Sequence, residues 1–180
     1  MKRALLLCLA MCAGAASAEK ADALKDLSIS ARKIKLDRAA GQMAGDVQLR
    51  RGTLAMDAEL ADISEAADGW RVLTLTAAPG QFATFRQKSD AGPAVWTEGR
   101  ARRIVYDEKT DVVKLFSEAT VKTTDHGLLK SQLDGELLIL DDRSQNLAAI
   151  NNANGIDTPN GGRSTATLAA RRVGAPAPAK

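Results

Sequence analysis

From residue 29 onward, apolar and polar residues alternate in short runs. Ile34 and Leu36 alternate with Lys33, Lys35 and Asp37, and Val47 and Leu49 with Asp46, Gln48 and Arg50. Leu54, Met56, Ala58 and Leu60 alternate with Asp57 and Glu59, and residues 70–76 continue in the same style. A period of two places one face of a strand in the core and the other in water. The sharpest run of such segments lies at 81–116. Asp90-Ala91-Gly92-Pro93 separates its first two strands, and Asp107 to Asp111 separates the last two. Further turns are predicted at Ala39-Ala40-Gly41-Gln42, Arg51-Gly52, Asp68-Gly69, Pro79-Gly80, Asp125-His126-Gly127 and Asp141-Asp142-Arg143-Ser144. Strands are expected at 119–124, 128–140 and 147–150 as well. No 3.6-residue periodicity is sustained along this region. The pattern therefore predicts an all-β domain over 29–155, as a barrel, sandwich or jelly roll.

The two ends differ from this body. Met1-Lys2-Arg3 followed by the apolar run 4–13 and Ala16-Ser17-Ala18 predicts a signal peptide over 1–18, cleaved after Ala18. Such a run is too short to span a bilayer, which takes about 20 apolar residues. Both cysteines, Cys8 and Cys12, lie inside this leader, so the exported body is expected to hold together without disulfides. Met11 stands where a small residue would precede a lipid-bearing cysteine, which argues against Cys12 as an anchor. Residues 19–28 read as a polar N-terminal arm. Residues 156–180, rich in Gly, Pro, Ala, Thr and Arg, read as a disordered basic tail.

Charge adds little to the functional picture. The formal net charge is +3, but Lys2, Arg3, Arg163, Arg171, Arg172 and Lys180 lie at the ends, and without them 19 basic residues face 22 acidic ones. The basic balance is thus no sign of nucleic acid binding, and no run of basic residues interleaves with aromatics. Aromatic residues are only 3% of the chain, so the interior must be lined mainly by aliphatic side chains.

The chain also echoes itself. Ala31-Arg32-Lys33-Ile34-Lys35-Leu36-Asp37 resembles Ala101-Arg102-Arg103-Ile104-Val105-Tyr106-Asp107. Gly45-Asp46-Val47-Gln48-Leu49 then corresponds to Ser117-Glu118-Ala119-Thr120-Val121. Two rounds of one strand–turn–strand unit predict a stack of repeating layers.

Catalytic and metal chemistry find no support. His126 is the single histidine and sits in a polar turn, with Asp125 and Ser131 as ordinary loop neighbours. A triad needs a nucleophile, a base and an orienting acid together, and a zinc site needs several converging ligands. Asp141-Asp142 fits a hairpin turn better than a cation site, and the glycines mark turns and strand ends. No enzyme activity, cofactor or metal is expected.

An exported β domain with an aliphatic interior either packs a closed core or receives a lipid. Each methylene withdrawn from water contributes about 0.8 kcal/mol, so a dozen-carbon chain needs a protein slot to cross an aqueous space. The residues alone leave both readings open. Gly45-Asp46-Val47, Leu54-Ala55-Met56-Asp57, the segment 79–87, Gly99-Arg100-Ala101-Arg102-Arg103-Ile104-Val105-Tyr106-Asp107 and Val113-Lys114-Leu115 resemble, in this order, the strand motifs of the OstA-like family. The resemblance covers about residues 29–150. It departs from the family at Ser117-Glu118, Met56 and the segment 133–137.

The resemblance implies an open twisted β-jelly roll of stacked antiparallel strands. It implies a periplasmic carrier whose groove shields the acyl chains of lipopolysaccharide. Its partners would be an inner-membrane lipopolysaccharide export complex, an outer-membrane lipopolysaccharide translocon and further copies joined head to tail. The groove candidates are Ile34, Leu36, Val47, Leu49, Leu54, Met56, Phe82, Ile104, Tyr106, Val113, Leu115, Val121 and Leu137. The alternative is a periplasmic carbohydrate-binding or structural β domain without lipid transport. Trp70, Trp96 and Tyr106 are too scattered to form a sugar-stacking row.

Overall fold

The structure, a computed structural model, describes residues 25–141, 144, 146–152, 154–156 and 161–170. Among them lie twelve strands and no helix: β1 (Ser28–Ser30), β2 (Lys33–Leu36), β3 (Ala40–Arg51), β4 (Leu54–Glu65), β5 (Arg71–Thr76), β6 (Ala83–Lys88), β7 (Val95–Ala101), β8 (Arg103–Asp107), β9 (Val112–Asp125), β10 (Leu128–Asp141), β11 (Asn146–Ile150) and β12 (Thr165–Leu168). All pairings are antiparallel.

Four long strands organise the rest. β3, β4, β9 and β10 are 12 or 14 residues each, and each half of them serves a different neighbour. The first half of β3 pairs with β2 and its second half with β1. The second half of β4 pairs with β5 and its first half with β6. β9 meets β8 with its first half and β7 with its second, while β10 meets β12 and then β11. Two sheets result, joined along a crease that the long strands cross. Sheet I contains β2, β5, β8 and β11, and sheet II contains β1, β6, β7 and β12. This is the open, twisted jelly roll that the resemblance implies, one of the all-β architectures that the strand pattern allows.

The internal echo in the sequence is the crease. Gly45 and Asp46 take φ of 81° and 52°, and Ser117 and Glu118 take 63° and 53°. The ladder slips at both places, between Ala44 and Val47 and between Phe116 and Ala119. A bulge of this kind bends a strand and increases its twist. The shorter neighbours break opposite it: the Arg32 amide donates to the Gly45 carbonyl at 2.9 Å, and the Arg102 amide to the Ser117 carbonyl at 3.1 Å. The break adds one residue between inward positions. Ile29 and Ala31 face in, then Ile34 and Leu36; Gly99 and Ala101 face in, then Ile104 and Tyr106. The spacing x-Ala-x-x-Ile is therefore a strand folding over a corner.

Register lays the core out in rows. In sheet I one row runs Ile34, Met43, Ala61, Leu75, Ile104, Leu115, Leu138 and Ala149. The next runs Leu36, Gly41, Ile63, Leu73, Tyr106, Val113, Leu140 and Leu147. In sheet II the facing row is Ile29, Leu49, Met56, Phe85, Gly99, Val121, Leu133 and Ala166. A Cβ placed on Gly99 would lie 2.1 Å from Phe85 Cε1 and 2.7 Å from Leu115 Cδ2. The Phe85 ring thus fills the space above Gly99, and sheet I closes over it.

Four boundaries differ from expectation. The β2–β3 turn is at Asp37–Ala40, where the Asp37 amide donates to the Ala40 carbonyl at 2.7 Å, and Gly41 and Gln42 lie within β3. The runs at 112–116 and 119–124 are one strand, because a bulge bends a ladder without ending it. The tail expected to be disordered from 156 contributes β12, which pairs with β10. Ser131 to Asp134 of β10 supply the pairing partners, which composition alone could not show. The arm expected over 19–28 is described only from Lys25, and Ser28 already belongs to β1. The signal peptide lies outside the described residues.

Candidate functional site

The inner face is the feature that the predicted residues share. Val47, Leu49, Leu54, Met56, Ile104, Tyr106, Val113, Leu115 and Val121 all belong to one buried cluster. Met43, Ala61, Leu73, Leu75, Ala83, Phe85, Ala101 and Leu138 join it, and sequence reasoning did not single them out. For Leu73 and Leu75 the signal was present, since they alternate with Thr74 and Thr76. In its middle this face is closed: Val47, Leu75, Ile104, Val113 and Leu115 are 0% exposed.

It is open at the β2 end. Ile34 and Leu36 occupy the two inward rows of sheet I yet are 47% and 68% exposed. No strand of the described residues lies beyond β2 to cover them. The apolar surface therefore continues out of the packed core to an uncovered edge.

Two candidates face elsewhere. Phe82 lies outside, with the guanidinium groups of Arg102 and Arg100 at 4.2 and 4.9 Å from its ring centre. The Pro79–Gln81 turn, with Gly80 at φ 76°, resets the alternation so that Ala83 and Phe85 point inward instead. Leu137 is buried but stands apart from the core cluster. The register slip between Gly135 and Leu137 moves the inward positions of β10 to Leu138 and Leu140.

The rim farthest from the crease is polar and tightly connected. Arg51, at the end of β3 in sheet II, donates to Glu108 Oε1 at 2.8 Å and also to the Tyr106 hydroxyl on sheet I. Arg71 on β5 reaches the same Glu108 carboxylate at 2.7 and 3.1 Å. The Tyr106 hydroxyl donates to Asp111 Oδ1 at 2.8 Å. Burial is the largest influence on Tyr106 and pushes its hydroxyl far above the ordinary phenol range, so it stays protonated. Arg51 and Glu108 are both only 6% exposed.

His126 lies at the exposed tip of the β9–β10 hairpin, with Nδ1 2.8 Å from Asp125 Oδ1. That contact, with a smaller one from Lys130, holds the Asp125 carboxyl below its usual range. Among the described residues, no group of three or more His, Cys, Asp or Glu is placed to hold a metal ion.

Two facing antiparallel sheets share one continuous apolar lining that, among the described residues, is exposed at the β2 edge. The chain belongs to the family described as LptA/(LptD N-terminal domain) LPS transport protein, which matches residues 28–146. Among solved structures it is similar to LptH, the LptA homologous periplasmic component of the conserved lipopolysaccharide transport device from Pseudomonas aeruginosa. The TM-score is 0.69 at 21% identity, over 83% of this chain and 99% of that one, a likeness of fold. No curated protein matches the sequence.

Proposed function

We propose that this protein is a periplasmic lipopolysaccharide carrier and one segment of a protein bridge between the inner and outer membranes. The observation that carries the reading is the pair of apolar rows in sheet I that run from the closed core out to exposed Ile34 and Leu36. Acyl chains laid on such rows leave water at about 0.8 kcal/mol per methylene. The closed middle supports entry at the β2 edge, with further chain contact as the two sheets part. Family membership supports lipopolysaccharide as the cargo. The partners of the bridge would be the inner-membrane export complex and the outer-membrane translocon. The uncovered edges at β1 and β2 and at β11 and β12 suit head-to-tail joining of copies, since unpaired edges are templates for a further strand.

The alternation supplies an internal control for the test. A photo-crosslinking residue at Ile34 or Leu36 is expected to capture lipopolysaccharide in cells. The same residue at Lys35, on the opposite face, is expected to capture little. Equal capture at all three positions, or none at Ile34 and Leu36, would defeat the proposal.

A further inference from the structure

The polar rim has more donors than acceptors, and nothing in the lipid-carrier reading uses it. Glu108 offers two carboxylate oxygens to two guanidinium groups. Oε1 accepts from Arg51 Nη1 at 2.8 Å and from Arg71 Nη2 at 3.1 Å, and Oε2 accepts from Arg71 Nε at 2.7 Å. Arg51 Nη2 is taken by the Tyr106 hydroxyl, whose own proton goes to Asp111. Arg51 Nε is buried with no acceptor, on a side chain only 7% exposed. A buried charged donor left without a partner is costly and calls for an explanation.

Two guanidinium groups converging on one carboxylate form an anion cradle with a side chain standing in for the anion. A phosphate monoester carries up to two charges and three terminal oxygens, one more acceptor than Glu108 provides. Guanidinium forks match phosphate in two-point contacts. Access exists from the Arg71 side, which is 36% exposed, and Glu108 sits on the turn after β8 rather than within a strand. The position also suits an amphiphile. Arg51 follows Leu49 on the inward face of β3, and Tyr106 is itself a member of an apolar row, so the cradle adjoins the apolar interior.

We propose that Arg51 and Arg71 form a phosphate site at the rim of the interior, and that Glu108 holds its place when no ligand is bound. The ligand is the phosphate monoester on the headgroup of an amphiphile whose chains lie on the inner face. Asp111, behind the Tyr106 hydroxyl, is the acidic neighbour that limits the site to an anion able to engage both arginines. This assignment rests on the lipid-carrier reading.

The test compares dodecyl phosphate, dodecanol and inorganic phosphate, each titrated below its aggregation threshold into the purified protein. Dodecyl phosphate is expected to bind about tenfold or more tightly than dodecanol, the scale of a charge-assisted hydrogen bond. Arg71→Gln is expected to erase that difference and leave dodecanol binding unchanged. Glu108→Gln, which weakens the internal competitor, is expected to tighten dodecyl phosphate binding several-fold, a gain that misfolding cannot imitate. Equal binding of dodecyl phosphate and dodecanol overturns the site and leaves the carrier reading standing. Inorganic phosphate binding as tightly as dodecyl phosphate overturns the headgroup assignment. Binding of neither amphiphile overturns the carrier reading and the site with it.

Discussion

Residues 28–65 and 95–141 build the same unit twice, and the copies have different fates. Each has a broken strand, a bulged long strand, and a second long strand crossing the crease. In the second copy Ile104 and Tyr106 are 0% and 2% exposed. In the first, their counterparts Ile34 and Leu36 are 47% and 68% exposed, although they occupy the same rows. The difference arises from position in the sheet rather than from the local sequence. β8 lies between β5 and β9, whereas among the described residues β2 pairs with β3 alone. A repeated unit thus yields core at the centre of the stack and an exposed apolar edge at its end.

A large effect is expected at a position that holds glycine in the second copy and isoleucine in the first. Gly99→Ala would force its methyl into the Phe85 ring at a site pinned by both sheets. A loss of about 3 kcal/mol in denaturant unfolding is expected, at the upper end of overpacking costs. Ala in place of Ile29, the equivalent half-buried position near the edge, should cost only about 1 kcal/mol. If Gly99→Ala were neutral, the sheets would be more loosely packed than described.

The next contrast is between the paired isoleucines. Ile104→Ala should cost about 2–5 kcal/mol, the range for a buried aliphatic truncated to alanine. Ile34→Ala should stay within about 0.5 kcal/mol, as surface changes do, while weakening lipid capture. Equal costs in the two variants would mean that β2 is covered in solution.

Smaller still are the bulges. Gly45 and Ser117 hold the same left-handed corner, at φ 81° and 63°. Ser117→Gly should stabilise the fold by up to about 1 kcal/mol by relieving a serine from that region. Gly45→Ala should destabilise it by about 1–2 kcal/mol, because the methyl also meets the Arg32 side chain at 3.0 Å. Effects of the same sign would break the equivalence of the two corners.

The smallest effect is at the surface pair Lys109 and Asp68, 2.7 Å apart. The hydrogen bond from Lys109 holds the Asp68 carboxyl below its ordinary range, and its partner raises the Lys109 ammonium. The Asp68 contribution is therefore present above the ordinary carboxylate range and fades as pH falls through the depressed value. The Lys109 contribution is present below the ordinary lysine range and is lost as pH rises through the elevated one. Melting temperatures of Asp68→Asn and the parent should differ slightly at neutral pH and converge in acid. Divergence on acidification would reverse the sign.

Much of this architecture was legible because a half-buried strand advertises itself with period two. The strands follow from that period, most turns from the Gly, Pro and Asp residues that interrupt it, and the doubled unit from the echo of residues 31–37 in 101–107. It fails where the chain changes direction without a turn. At the Gly135–Leu137 slip the inward set moves from odd to even numbers, which is why Leu138 and Leu140 face in and Leu137 does not. After Pro79–Gln81 the same reset turns Phe82 out and Phe85 in. The rim cluster was invisible for another reason. Arg51, Arg71 and Glu108 are separated along the chain, and each looks like an ordinary solvated charge until two sheets meet.

The crease also makes the molecule a gauge of length. Each strand pairs only with its neighbours in the stack, so a further hairpin added at an edge would leave the existing ladders undisturbed. With eight strand segments per sheet at about 4.8 Å spacing, the apolar track is roughly 34 Å long. Its reach is therefore set by the number of layers and its width by the corner. Evolution can change one without redesigning the other.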